Sequence, residues 1–88
     1  MDFVRGLVVR SRAGRDKGGF LVVLSAGERS VVVCDGKRRS LGHAKTKNLK
    51  HLSPTATVLP ENRLQTDREI RLALAPFQNA GSLSRRGG

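Results

Sequence analysis

The stretch that most restricts what this chain can fold into is R-G-L-V-V-R-S-R-A-G-R-D-K-G-G-F-L-V-V-L, residues 5–24. Two apolar runs, Leu7 to Val9 and Phe20 to Leu24, flank a basic, glycine-rich segment, Arg10 to Gly19. Both runs are rich in β-branched residues and too short for a helix, which predicts two strands joined by a turn. Gly14 sits mid-turn, where a residue without Cβ takes φ > 0 or lets a second backbone approach. Arg10, Arg12, Arg15 and Lys17 stand there against one acid, Asp16. The expectation is a rigid hairpin whose tip displays positive charge. It is not a P-loop, because G-x-x-x-x-G-K-[ST] is absent and a strand follows where a helix should begin.

The rest of the chain continues in short pieces. Met1 to Arg10 reads as the first strand and Gly19 to Ser25 as the second. Apolar residues occupy odd positions (Phe3, Leu7, Val9) and even ones (Val4, Val8), so alternation does not say which face is core. Gly6 within the first strand suggests a bulge or sharp bend. After the turn Ala26-Gly27-Glu28 comes a third strand, Ser30 to Asp35. Asp35-Gly36 has the composition of a two-residue hairpin turn, which predicts a fourth strand over Lys37 to Leu41, with a fifth over Asn48 to Ser53. Several short strands joined by tight turns favour a barrel or meander. After Leu52 the composition changes. Residues 54–65 read as a linker broken by Pro54 and Pro60. Thr66-Asp67-Arg68-Glu69 has the capping-box spacing, with Thr66 as N-cap. It predicts a short helix over 66–77 with Ile70, Ala73, Leu74 and Phe77 on one face and Pro76 at its end. Such a helix is marginal alone and must dock on something. Residues 78–88 are polar and rich in Gly and Ser, and the expectation there is a disordered tail.

With 88 residues there is room for one small domain. The formal net charge is +10, from 17 Lys and Arg against 7 Asp and Glu, an imbalance that suits a polyanionic partner. Residues 1–52 carry 12 Lys and Arg against 4 acids, whereas residues 53–88 carry 5 against 3. The charge therefore belongs to the expected β domain, which favours a folded binding surface over a basic arm. Cys34 is the only cysteine, so no intrachain disulfide forms, and its apolar run predicts a small buried residue. One Cys and two distant histidines, His43 and His51, give no metal-ligand spacing. No apolar run approaches the ~20 residues of a membrane span, and the N-terminus lacks a signal-peptide pattern. These absences point to a reduced, cytoplasmic setting. No acid pair, Ser-His-Asp set or Cys-His pair stands in a catalytic context, so the chain is not expected to be an enzyme or to take a cofactor or small-molecule substrate.

Four pieces carry a family resemblance: G-x-V-V-x-S at Gly6 to Ser11, A-G-R-D-K-G at Ala13 to Gly18, C-D-G-K at Cys34 to Lys37, and K-N-L-K-H-L at Lys47 to Leu52. As a set, in this order, they resemble the KOW motif and the small KOW-domain proteins similar to a large-subunit ribosomal protein of archaea and eukaryotes. The resemblance covers the first fifty-odd residues. It implies a mostly β fold, an SH3-like barrel over 1–53, that binds RNA and has no catalytic role.

Two basic clusters are the candidate RNA-binding residues. The hairpin tip offers Arg10, Arg12, Gly14, Arg15 and Lys17. A glycine-containing turn combines cations with backbone donors that approach phosphate closely. The second cluster is Lys37, Arg38, Arg39, Lys45, Lys47, Lys50 and His51, in an interval without an acid. On strands these residues alternate, so only some face any one partner. A bland reading stands beside each: a turn kept basic for solubility, and a charged sheet edge that discourages aggregation. There is no Trp or Tyr and only three Phe, which argues for recognition of structured RNA through phosphate, sugar and shape rather than through stacking. The function expected is RNA binding in the translation apparatus, on ribosomal RNA of the large subunit, with ribosomal proteins as further partners. The competing expectation is a protein-interaction module of a transcription or translation factor. Attachment to an anionic membrane is the weakest alternative, because no basic amphipathic helix is present.

Overall fold

The computed structural model describes the backbone of residues 3–87 and side-chain surroundings through residue 78. Five strands form one antiparallel sheet: β1 (Leu7–Ser11), β2 (Phe20–Ala26), β3 (Ser30–Cys34), β4 (Lys45–Asn48) and β5 (Leu52–Val58). Their spatial order is β4-β3-β2-β1-β5. The first four run as a meander, and β5 returns to pair with β1. β4 and β5 are the two edges and the sheet is open. Single 3₁₀ turns occupy Leu41–His43, Leu49–His51 and Glu61–Arg63, and one helix, α1 (Asp67–Gly87), closes the chain.

Both faces of this sheet are covered, which accounts for the missing alternation in β1 and β2. On the inner face Leu7, Val9, Leu21, Val23, Val31, Val33 and Leu52 pack together, with Phe3 and Leu49 against them. On the other face Val8, Val22 and Cys34 pack beneath Leu64, Ile70 and Leu74. The helix that could not stand alone therefore docks on the sheet. Ile70 and Leu74 are buried there, and Phe77 meets Phe20 with ring centroids 5.4 Å apart. The Thr66 hydroxyl accepts the Glu69 N–H at 3.1 Å, as the capping box predicts. The Glu69 carboxylate turns instead to Arg63, 3.5 Å away.

Gly6 is the bend that the first strand needs. Its φ is +97°, and a Cβ there would collide with the Leu59 carbonyl oxygen. The β1–β5 register shifts just beyond it, between Leu7 and Val9.

The first strand, expected from Met1, begins only at Leu7, because Arg5 and Gly6 form a turn closed by the Leu7 N–H on the Val4 carbonyl; further boundaries differ as well. Lys37 to Leu41 is not a strand. The Asp35 carboxylate accepts the Lys37 and Arg39 N–H groups at 2.8 and 2.9 Å, and the Asp35 N–H bonds the Arg39 carbonyl. The turn thus closes on itself, and the fourth strand waits until Lys45. Asn48 to Ser53 is not a fifth strand either, because a 3₁₀ turn over Leu49–His51 separates β4 from β5. β5 then runs on to Val58, through Pro54, inside the segment expected to be linker. An edge strand tolerates a proline, since one side of it needs no ladder bonds. Finally, α1 continues past Pro76 to Gly87, correcting the expected end at 77. Proline removes one helical bond, to the carbonyl of Leu72, and both residues lie on the exposed side, where water replaces it. The expected disordered tail, 78–88, is therefore corrected as well, since its backbone is helical through Gly87, although of its side chains only Gln78 is described; Met1, Asp2 and Gly88 lie outside the described residues altogether.

Candidate nucleic-acid interface

The hairpin tip is built on a polar plug at one end of the inner core. Side-chain parity puts Ser11 on the inner face with Leu7 and Val9. Across the sheet, Lys47 pairs with Val31 and Lys45 with Val33. Lys47 is buried, and its Nζ donates to Ser11 Oγ at 2.7 Å and to the Ala13 carbonyl at 3.0 Å. The Ser11 hydroxyl in turn donates to the same carbonyl at 3.0 Å. Asp16, the one acid of the tip, is turned inward with its side chain 8% exposed, and its Oδ2 lies 3.6 Å from both Lys47 Nζ and Arg39. The tip is also closed by its own backbone: Gly18 N–H bonds the Ser11 carbonyl, and Lys17 N–H the Gly14 carbonyl. Gly14 and Gly18 take φ values of +79° and +88°, so Gly14 has the conformation expected of it.

Around this plug the remaining cations line three adjoining hollows. The first, about 600 Å³, is lined by Arg10, Ser11, Arg12, Lys17, Gly18 and Ser53. The second, about 200 Å³, has Arg15, Lys17 and Arg38 with Phe20, Asp35 and Gln78 among its walls. The third, about 370 Å³, brings Lys37 beside Arg71, again with Asp35 and Gln78. Shared walls make the three continuous: Lys17 divides the first from the second, and Asp35 with Gln78 divides the second from the third. Arg10, Arg12, Arg15, Lys17, Lys37 and Arg38 are all exposed. Lys50 and His51 are exposed as well, on the 3₁₀ turn whose His51 carbonyl accepts the Arg12 N–H, so they flank the first hollow. Such a track of exposed cations attracts an extended polyanion.

Not every candidate belongs to it. Lys47 is a core residue, because β4 places it on the inner face. Arg39 is half-buried and turned to Asp16. Lys45 is half-buried on the same inner face as Lys47 and lines none of the three hollows. Arg71 was missed. Its signal is the spacing Arg71, Ala75, Gln78 along α1, one helical side next to the docking stripe. Gly36, at φ +76°, brings the Asp35–Arg39 loop against that side, since a Cβ there would strike the Asp67 carbonyl. The Leu41 N–H, donating to Asp67 Oδ1 at 2.7 Å, fixes the same contact.

Away from the track, Arg5 and Glu61 form a two-pronged pair, Nε to Oε1 at 2.8 Å and NH2 to Oε2 at 2.7 Å. It fastens the start of the chain to the 3₁₀ turn before α1. The Cys34 thiol is pushed up to about 11 by burial, with Asp67 and Asp35 adding to the rise. No helix among the described residues is long and apolar enough to cross a membrane. A scan of protein-family models and a search of curated proteins give no match to this chain.

Proposed function

We propose that the chain is an RNA-binding protein of the translation apparatus. In this reading it acts in the cytoplasm on structured RNA, in the first place ribosomal RNA of the large subunit, with ribosomal proteins as neighbours. The observation that carries the reading is the continuous basic track on a folded surface, from Arg10 and Arg12 through Lys17, Arg15 and Arg38 to Lys37 and Arg71. Arginine forks and lysine point charges on a rigid frame neutralise phosphates without needing a base sequence. The resemblance to KOW proteins adds to this, because the hairpin that carries it is the hairpin at the centre of the track. A meander whose fifth strand returns to the first, with residues of β1, β2, β3 and β5 in its inner apolar cluster, supports the SH3-like architecture that the resemblance implies.

The test is crosslinking in cells followed by RNA sequencing, with an Arg12→Glu/Arg15→Glu/Lys17→Glu variant alongside. These three side chains make no hydrogen bond or ion pair among the described residues, so the variant is expected to fold. Crosslinks concentrated on one region of large-subunit ribosomal RNA, and lost in the variant, are the expected result. No RNA above background, with the same proteins co-purifying from both forms, would turn the reading to a protein-interaction module.

A further inference from the structure

The hollows on either side of Lys17 differ in chemistry. The first holds Arg10, Arg12 and Lys17 with the hydroxyl-bearing Ser11 and Ser53, and neither an acid nor an aromatic ring. That lining matches phosphate and ribose oxygens and nothing more specific. The second has cations among its walls, Arg15, Lys17 and Arg38, but also the Asp35 carboxylate, the Phe20 ring and the Gln78 amide, while the Asp16 carboxylate behind it is turned to Lys47 and Arg39. Carboxylates oppose a phosphate, so this hollow is poorly made for an anion alone. They accept hydrogen bonds from the amino and imino groups of a base edge, and a ring packs against a base face.

From this contrast we infer that the second hollow receives the base of one unpaired nucleotide of the bound RNA, while the first and third hold the flanking backbone. The inference rests on the RNA-binding reading above and deepens it. Size agrees: about 200 Å³ has room for one planar base. The polar groups are available. Asp35 engages Lys37 and Arg39 through Oδ1, and among the described residues its Oδ2 makes no hydrogen bond. The Gln78 side chain, exposed on α1, presents both a donor and an acceptor. The apolar wall is held in place, since Phe20 is half-buried against Phe77 at a 42° tilt. A base entering between the two loops carries its own phosphate to the rim, where Arg15 and Arg38 stand.

The test compares two labelled RNA hairpins, identical except that one has a single bulged nucleotide, by fluorescence anisotropy with the whole protein. The bulged RNA is expected to bind about tenfold tighter, the size of one base-on-aromatic contact. Phe20→Leu and Gln78→Ala each remove most of that preference and leave the affinity for paired RNA in place. Arg12→Gln weakens both RNAs equally. Should Phe20→Leu fail to fold, Gln78→Ala on the exposed helix side gives the same readout. Equal affinity of the wild-type protein for both RNAs, or a preference unchanged in Gln78→Ala, overturns the inference and leaves the RNA-binding reading standing. Binding to neither RNA overturns both.

Discussion

Replacing Lys47 with methionine separates a buried structural lysine from a surface one. Met keeps the length of the side chain and removes the charge and three donors. In the folded protein that charge is 7% exposed and faces the Asp16 carboxylate, itself 8% exposed, at 3.6 Å. Removing one partner of a buried pair costs roughly 3–5 kcal/mol, because the other charge is left uncompensated. Arg39, also 3.6 Å from Asp16, retains part of the compensation, which places the expected loss near the lower bound, about 3 kcal/mol. For a domain of this size that is a fall in Tm of roughly 12–24 °C. The assay is urea and thermal denaturation followed by circular dichroism, with Lys50→Met as the control. Lys50 is exposed and its loss is expected to stay within about 0.5 kcal/mol. In an Asp16→Asn background the cost of Lys47→Met shrinks, because no anion is stranded. Equal small losses for Lys47→Met and Lys50→Met, or full additivity with Asp16→Asn, would refute the polar-plug account.

The remaining expectations are narrower. Gly6→Ala forces a side chain into φ +97° against the Leu59 carbonyl, so the variant unfolds at markedly lower urea or fails to fold. The Cys34 thiol stays protonated at neutral pH, so a thiol-specific reagent labels the native protein far more slowly than the urea-unfolded one. Because its folded value of about 11 lies above the ordinary 9.0, the contribution of Cys34 to stability is intact at neutral pH and declines as pH rises between those values. Glu61 is held below the usual carboxylate range by its hydrogen bonds from Arg5. Its contribution is therefore present at neutral pH and disappears as pH falls through that range. The pair is exposed and screened by salt, so Glu61→Gln produces only a slight loss at neutral pH and none in strong acid.

The parts of the fold legible in the sequence are those fixed by local chemistry. The β-branched runs at Leu7, Phe20 and Ser30 become β1 to β3 because nothing local competes with extended backbone there. Thr66 starts the helix because its hydroxyl supplies the missing acceptor, and the stripe from Ile70 to Phe77 has somewhere to dock. The errors arise where a distant contact decides. Asp35-Gly36 looks like a hairpin turn, yet the Asp35 carboxylate captures the following N–H groups and closes the loop on itself. β5 is weakly apolar, and only pairing with β1 makes Ser53 to Val58 a strand. Lys47 has the composition of a surface residue. Its burial follows from register with Val31 and from the hairpin tip folding over it, neither of which composition encodes. Arg71 joins the track only because Gly36 lets a loop approach the start of α1. The basic hairpin tip, by contrast, was readable directly, since a turn rich in Arg, Lys and Gly has few ways to hide its charge.

Phosphate neutralisation by the exposed cations of a folded track is tested most directly by the salt dependence of RNA binding. If about six phosphates are engaged, affinity for a structured RNA falls about a thousandfold between roughly 50 and 200 mM salt. Each of Arg10→Gln and Arg12→Gln lowers the slope of log affinity against log salt by about 1, whereas Lys47→Met, if still folded, leaves it unchanged. A slope near zero in the wild-type protein, or a slope that responds to Lys47 and not to Arg10 and Arg12, would contradict the account.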